Sequence, residues 1–180
     1  AKMPEDGADW LPLLVHAADT AGVMLHLYEN WLNEAGRQAL ADGLAPEEMR
    51  RLCRWLGFAH DLGKCTPAFQ HKITEKNRSL RAELEQIGLS MPKNTANISL
   101  SPHALAGAAL LLRAGENDAL AAVIAAHHGK PWAGQFQWED QFSSYGNNYD
   151  GNRNTRENWR RVQREYMVAA RRESGYAEDE

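Results

Sequence analysis

The stretch Pro46-Glu-Glu-Met-Arg-Arg-Leu-Cys-Arg-Trp-Leu-Gly-Phe-Ala-His-Asp-Leu-Gly-Lys-Cys-Thr-Pro-Ala-Phe-Gln70 reads as one helix, its stop and the start of the next. Pro46 suits a first helical position, where the missing N–H costs nothing, and Glu47 and Glu48 face the positive end of the dipole. Met49, Leu52, Leu56 and Ala59 then recur every three or four residues, and Gly63 supplies the stop. The same period continues in both directions. Upstream, Leu13, Ala17, Ala21, Met24 and Tyr28 mark a helix with Asp9 as its N-cap. Downstream, short helices are expected over Pro67 to Ile73 and Ser79 to Ile87. Ser101-Pro102 opens another through Leu112, ended by Gly115, and Asn117 opens one through Ile124 to His128, stopped by Gly129. Ser143 to Asn154, rich in glycine and asparagine, is expected to be a flexible loop, after which Thr155 starts a last helix. No stretch alternates with period two and no segment repeats. The fold class is therefore all-α, a compact bundle of helices around one core.

A length of 180 residues predicts a single domain, and 43% hydrophobic with 24% charged residues is ordinary globular composition. The longest apolar or glycine run, Ala104 to Leu112, is far shorter than a bilayer span, and no basic and apolar leader precedes Trp10. Cys53 and Cys65 are read as free thiols of a reducing compartment, so a cytoplasmic protein without membrane association is expected. The net charge of −4 would not attract a polyanion, so any nucleic-acid contact must be local.

Of the seven histidines, five sit at helix ends or on apolar helical faces, where a polar group needs a partner. His16 lies among Leu13, Leu14, Ala17 and Ala18; His60 and Asp61 close one helix; His103 opens another; His127 and His128 close a fourth. Imidazoles and a carboxylate arriving from separate helices suit one or two transition-metal ions. Consecutive helical residues point about 100° apart, yet at a helix end His60 and Asp61 can converge on two neighbouring ions. One carboxylate can bridge cations roughly 3.5–4 Å apart, the separation that clamps both oxygens of a phosphoryl displacement. Taken singly, each has an ordinary reading, His16 as a hydrogen-bonded core residue and His60-Asp61 as a pair on the helix dipole. His26 and His71 are read that way. It is the combination that points to metal.

These residues resemble those of the HD superfamily of metal-dependent phosphohydrolases, named for a paired His-Asp, here His60-Asp61. The likeness is greatest to the HD nuclease domain of the CRISPR-associated helicase-nuclease of type I interference systems. It is carried by Phe58 to Gln70, by Leu13-Leu-Val-His-Ala-Ala-Asp-Thr-Ala21, by Ser101-Pro-His-Ala-Leu-Ala-Gly107 and by Ile124-Ala-Ala-His-His-Gly129. The resemblance implies an HD-domain bundle around a di-metal site and a nuclease that hydrolyses phosphodiester bonds of single-stranded DNA. It implies as partners a CRISPR surveillance complex and a helicase module, fused or separate. It makes His16, His60 and Asp61 ligands of one ion and Asp61, His103, His127 and His128 ligands of a second, both divalent (Mn, Fe, Co or Ni). Asp61 would bridge them, and Lys64 would act with it in catalysis as a cation facing the scissile phosphate. By residue type alone, Lys64 equally suits a charge on a helix C-terminus.

One departure stands out. The family supplies a further metal-binding aspartate late in the domain, in an apolar helix with an Ala-Asp-Trp-like signature, and no such late segment occurs here. A water, a substitute such as Asp140 or Asp150, or a shortened domain would account for it, and shortening is favoured because no apolar helix covers that side of the core. No Gly-x-x-x-x-Gly-Lys-Ser/Thr loop is present, so no helicase motor is expected within the chain. The arginines of the last helix and Trp132, Phe136, Trp138, Phe142, Tyr145 and Tyr149 form either a rim for a DNA strand or a solvated face with core anchors. Two rival functions remain: an HD phosphohydrolase of nucleotides or other small phosphate esters, and an inactive metal-stabilised docking module.

Overall fold

The computed structural model describes residues 11–91, 101–129 and 138–176. Among them are nine α-helices and no strand: α1 (Leu13–His26), α2 (Glu34–Ala41), α3 (Pro46–Ala59), α4 (Pro67–Thr74), α5 (Arg78–Gln86), α6 (His103–Arg113), α7 (Asp118–Ala126), α8 (Trp138–Asp150) and α9 (Arg156–Ser174). A π-helical turn, Leu27–Trp31, follows α1, and a 3₁₀ turn, Leu62–Cys65, precedes α4. The all-α reading is correct. No helix among the described residues is long and apolar enough to cross a membrane. The chain divides into two compact units, residues 1–59 with 166–180, and residues 60–165.

In the first unit α1 packs on α3. They meet at small residues: a β-carbon on Gly57 would lie 2.4 Å from the Ala21 Cα, so only glycine permits this approach, and Ala17 and Ala21 are buried beneath it. Glu48 accepts from the Ala45 N–H at 2.9 Å, a capping contact at the start of α3. At its other end Tyr166 Oη donates to the Phe58 carbonyl at 2.8 Å. Tyr28, on the π-turn, is carried into a cluster with Met49 and Cys53. The short helix α2, absent from the sequence reading, buries none of its residues; it exists through the Asn33 cap, whose side chain accepts from Gly36 N at 2.8 Å. The Asp9 cap lies outside the described residues.

In the second unit α6 is the central helix, buried continuously from Ala104 to Leu111, with α7, α8 and the 3₁₀ turn packed on it. Its contact with the turn is backbone on backbone: a β-carbon on Gly63 would lie 1.8 Å from the His103 carbonyl and 2.7 Å from Gly107 N. Caps sharpen the other helices, Thr66 before Pro67 in α4, Asn77 in α5 and Asn117 in α7. The loop expected at 143–154 is corrected: α8 is helical through Asp150, with one non-helical residue at Tyr145. Burial overrides the weak helix propensity of this stretch. Tyr149 is fully buried against Ala106 and Ala109, Asn148 donates to Ser101 Oγ at 2.9 Å, and Asp150 is ion-paired. Phe142 and Tyr145, both part-buried, pack on the same cluster, so of these three aromatics Tyr149 belongs to the core and the other two lie at its edge. Trp132 and Phe136, and the side chains of Trp138 and Asp140, lie outside the described residues.

Candidate metal centre

The helix that carries His60-Asp61 ends at Ala59, earlier than the Gly63 stop expected, and the chain turns through Asp61 into the 3₁₀ segment. That turn presses Gly63 against the start of α6 and so brings the buried Asp61 carboxylate to His103. His127 and His128 follow the last turn of α7, which packs on α6. Six of the seven residues singled out from sequence therefore fall in the second unit. His16 lies part-buried on α1 of the first unit, where its backbone carbonyl accepts from Thr20 Oγ1 at 2.9 Å.

Asp61 divides its two oxygens. Oδ1 lies 3.2 Å from His103 Nε2 and 3.9 Å from His127 Nε2; Oδ2 lies 3.2 Å from His60 Nε2 and accepts from the Lys64 ammonium. Burial alone would raise the pKa of this carboxyl, but hydrogen bonds from His103, His60 and Lys64 outweigh it and hold the group well below the usual carboxylate range. The anion is thus permanent near neutral pH. The ring nitrogens of His103, His127 and His128 offer three ligand atoms within 4.8 Å of one another, and the Nε2 atoms of His103 and His128 are 2.8 Å apart.

Two observations fit this donor set to a divalent transition metal. His127 Nδ1 lies 2.6 Å from the Ile124 carbonyl, which can only accept, so Nδ1 carries the proton and Nε2 presents a lone pair. That Nε2 is buried and has no hydrogen-bond partner, the arrangement by which outer contacts orient a ligating imidazole. The two facing Nε2 atoms of His103 and His128 can share at most one proton, and a cation satisfies both. The set is nitrogen-rich with one carboxylate, which suits Mn, Fe, Co, Ni or Zn rather than Ca or Mg.

Burial first, and then neighbouring imidazoles, lower the pKa values of His127 and His128 below the ordinary histidine range. Both are therefore neutral and ready to ligate at pH 7. Because protons compete only below these lowered values, affinity for Ni2+ is expected to be flat around pH 7 and to fall only at a pH below the ordinary histidine value, by up to about tenfold per pH unit for each proton displaced. Calorimetric titration between pH 5.5 and 8 checks this, and a fall already evident between pH 8 and 7 would contradict it.

Several roles read from sequence are revised. Asp150 does not serve as a substitute ligand, because Arg113 Nη1 contacts its Oδ1 and Oδ2 at 2.6 and 2.7 Å and Arg160 contacts Oδ2 from two nitrogens. Of the α9 arginines, Arg160 is paired with Asp150, Arg164 with Glu157 and Arg161 with Glu165, so carboxylates already occupy part of that basic stretch. His26 is exposed, with Asn30 Nδ2 3.3 Å from its Nδ1, whereas His71 is 7% exposed and its Nδ1 has no hydrogen-bond partner. Phe69 was not singled out from sequence; its ring meets His103 edge-on at 5.4 Å and lies 5.6 Å from Lys64 Nζ. Cys65, beside Lys64, is a buried free thiol whose pKa burial pushes up to about 12.

A family model described as "Cas3, HD domain" matches residues 1–180. The CRISPR-associated nuclease/helicase Cas3 of Streptococcus thermophilus is 34% identical over an alignment that covers 68% of this chain; the chain spans 14% of that relative. No solved structure matches the chain. With Asp61 of the His-Asp pair buried beside a histidine cluster and the family model matched from end to end, the chain belongs to the Cas3 HD domain family.

Proposed function

We propose that this chain is a metal-dependent nuclease domain that hydrolyses phosphodiester bonds of single-stranded DNA in CRISPR type I interference. The observation that carries the reading is the buried, unpartnered Nε2 of His127 aimed beside a carboxylate that His60 and His103 also contact. His60 and Asp61, joined by His16 from the family resemblance, would hold one ion, and Asp61, His103, His127 and His128 a second. Bound divalent ions supply Lewis acidity, lowering the pKa of a water and neutralising charge that builds on a phosphate. Asp61, held ionised by its neighbours, contributes the one negative charge and, with an oxygen toward each group of histidines, relates the two positions. Ile124 fixes the His127 tautomer, so the ring cannot rotate away from the centre. Lys64, paired with Asp61 and 15% exposed, is close enough to solvent to meet an incoming phosphate as a cation. A surveillance complex and a helicase module as partners, and the cytoplasm as the compartment, belong to the same proposal.

The deciding experiment is cleavage of circular single-stranded DNA by the purified chain with Mn2+, Ni2+, Co2+ or EDTA, beside Asp61→Ala. Cutting that requires metal and disappears in the variant is the expected result. Hydrolysis of nucleotides with single strands left intact would replace this reading by a small-ester phosphohydrolase. Metal binding with no cutting of either substrate would leave a docking module.

A further inference from the structure

The 3₁₀ turn Leu62–Cys65 carries Lys64 and follows directly on Asp61, whose carbonyl accepts from Lys64 N at 2.8 Å. Two glutamine side chains from different helices hold it from outside. Gln70 of α4 donates its amide to the Lys64 carbonyl at 2.9 Å, and Gln163 of α9 donates its amide to the Cys65 carbonyl at 3.1 Å. The carbonyls are consecutive, so the two peptide groups that flank Cys65 are each held by a glutamine amide.

Gln163 is an unusual residue to find here. It is fully buried, and a buried amide is costly unless every polar atom is matched. All are matched. The second amide hydrogen goes to the Tyr149 carbonyl at 2.8 Å, and the side-chain oxygen accepts from Arg113 Nη2 at 3.1 Å. Arg113 is itself held by the buried Asp150, which Arg160 also contacts. The network Arg160–Asp150–Arg113–Gln163 thus runs from α9 through α8 and α6 and ends on the turn beside the candidate metal centre. A leucine at position 163 would fill the same core with less desolvation cost, but would leave the Cys65 and Tyr149 carbonyls without this donor.

We propose that Gln70 and Gln163 are positioning residues that clamp the peptide groups on either side of Cys65, and through them fix where the Asp61 carboxylate and the Lys64 ammonium stand relative to the histidines. The inference rests on the metal-site part of the proposed function and is independent of which phosphate ester is cleaved. Loss of either amide frees one of the two peptide groups, and the turn and its carboxylate drift together. Outer contacts of this kind are typically worth 10–100-fold in metal affinity.

The test uses Co2+ and the full chain, comparing wild type with Gln163→Met, Gln70→Leu and the double variant. Co2+ affinity and the visible absorption of the bound ion report on ligand geometry; urea denaturation without metal reports on the fold. Each single variant is expected to lower affinity at least tenfold and to change the Co2+ spectrum. The double variant is expected to lose less than the product of the two, because both act on one turn. Gln70, part-exposed on α4, provides a variant that leaves the core intact should Gln163→Met fail to fold. Reduced urea resistance with unchanged Co2+ affinity and spectrum would overturn the clamp, reducing the glutamines to core packing. A wild-type chain that binds no Co2+ would overturn the metal reading and the clamp together. Metal binding that depends on the clamp, in a chain that cuts no DNA, would leave the clamp standing and remove only the nuclease.

Discussion

Gly63→Ala is expected to cost the second unit at least ~3 kcal/mol and to abolish metal binding with it. The added methyl would sit 1.8 Å from the His103 carbonyl and 2.7 Å from Gly107 N, which are backbone and cannot swing aside as a flexible side chain does. Nor can α6 retreat, since it is buried from Ala104 to Leu111 and the packing behind it would have to open. The turn that must move instead follows directly on Asp61, so the 3.2 Å contact between Asp61 Oδ1 and His103 Nε2 is lost in the same movement. Gly22→Ala is the matching control. Gly22 lies mid-helix in α1 with nothing within 4 Å of its would-be β-carbon, and the change is expected to stabilise by about 0.5–1 kcal/mol. Urea denaturation of the metal-free chain and titration with Ni2+ separate the two outcomes. A Gly63→Ala chain matching wild type in both would show that the turn does not dock on α6 as described.

That tight crossing also explains which parts of the molecule the sequence disclosed. The helices with a strong apolar period, such as α3, α6 and α7, are legible because local propensity and burial agree in them. The histidines and Asp61 are legible because a polar residue at an apolar helix end demands an explanation that few chemistries supply. Residues 143–154 misled because glycine and asparagine weigh against a helix locally, while the reasons for one are distant: the Ala106 and Ala109 surface that buries Tyr149, and the arginines that meet Asp150. Asp150 itself looked like a free carboxylate, since nothing in its neighbours announces that Arg113, 37 residues earlier, takes both its oxygens. Gln163 gave no signal at all. One glutamine in an arginine- and glutamate-rich helix is indistinguishable from a surface residue until the fold turns that face inward. Long-range polar pairs have no period, so composition and spacing cannot find them.

Asp61→Asn is expected to remove metal binding and to destabilise the metal-free chain by about 3 kcal/mol, whereas adding Lys64→Met should restore most of the stability and none of the binding. Asp61 is 2% exposed and the Lys64 side chain 15%, so the pair is shielded from water and each partner depends on the other. Neutralising only Asp61 strands a cation beside it; neutralising both leaves an apolar side chain that can pack against the Phe69 ring. The pH response provides a second reading of the same pair. The native carboxyl titrates below its unfolded value, so its contribution is complete above about pH 4 and is lost as pH falls toward the native value. Wild type should therefore lose urea resistance steeply below pH 4, and the double variant less steeply, because it no longer has that group to protonate. An Asp61→Asn chain as stable as wild type at pH 7 would mean that the pair contributes nothing to the fold. A double variant that still binds Ni2+ would mean that the histidines alone hold the ion, and that Asp61 has no part in the centre.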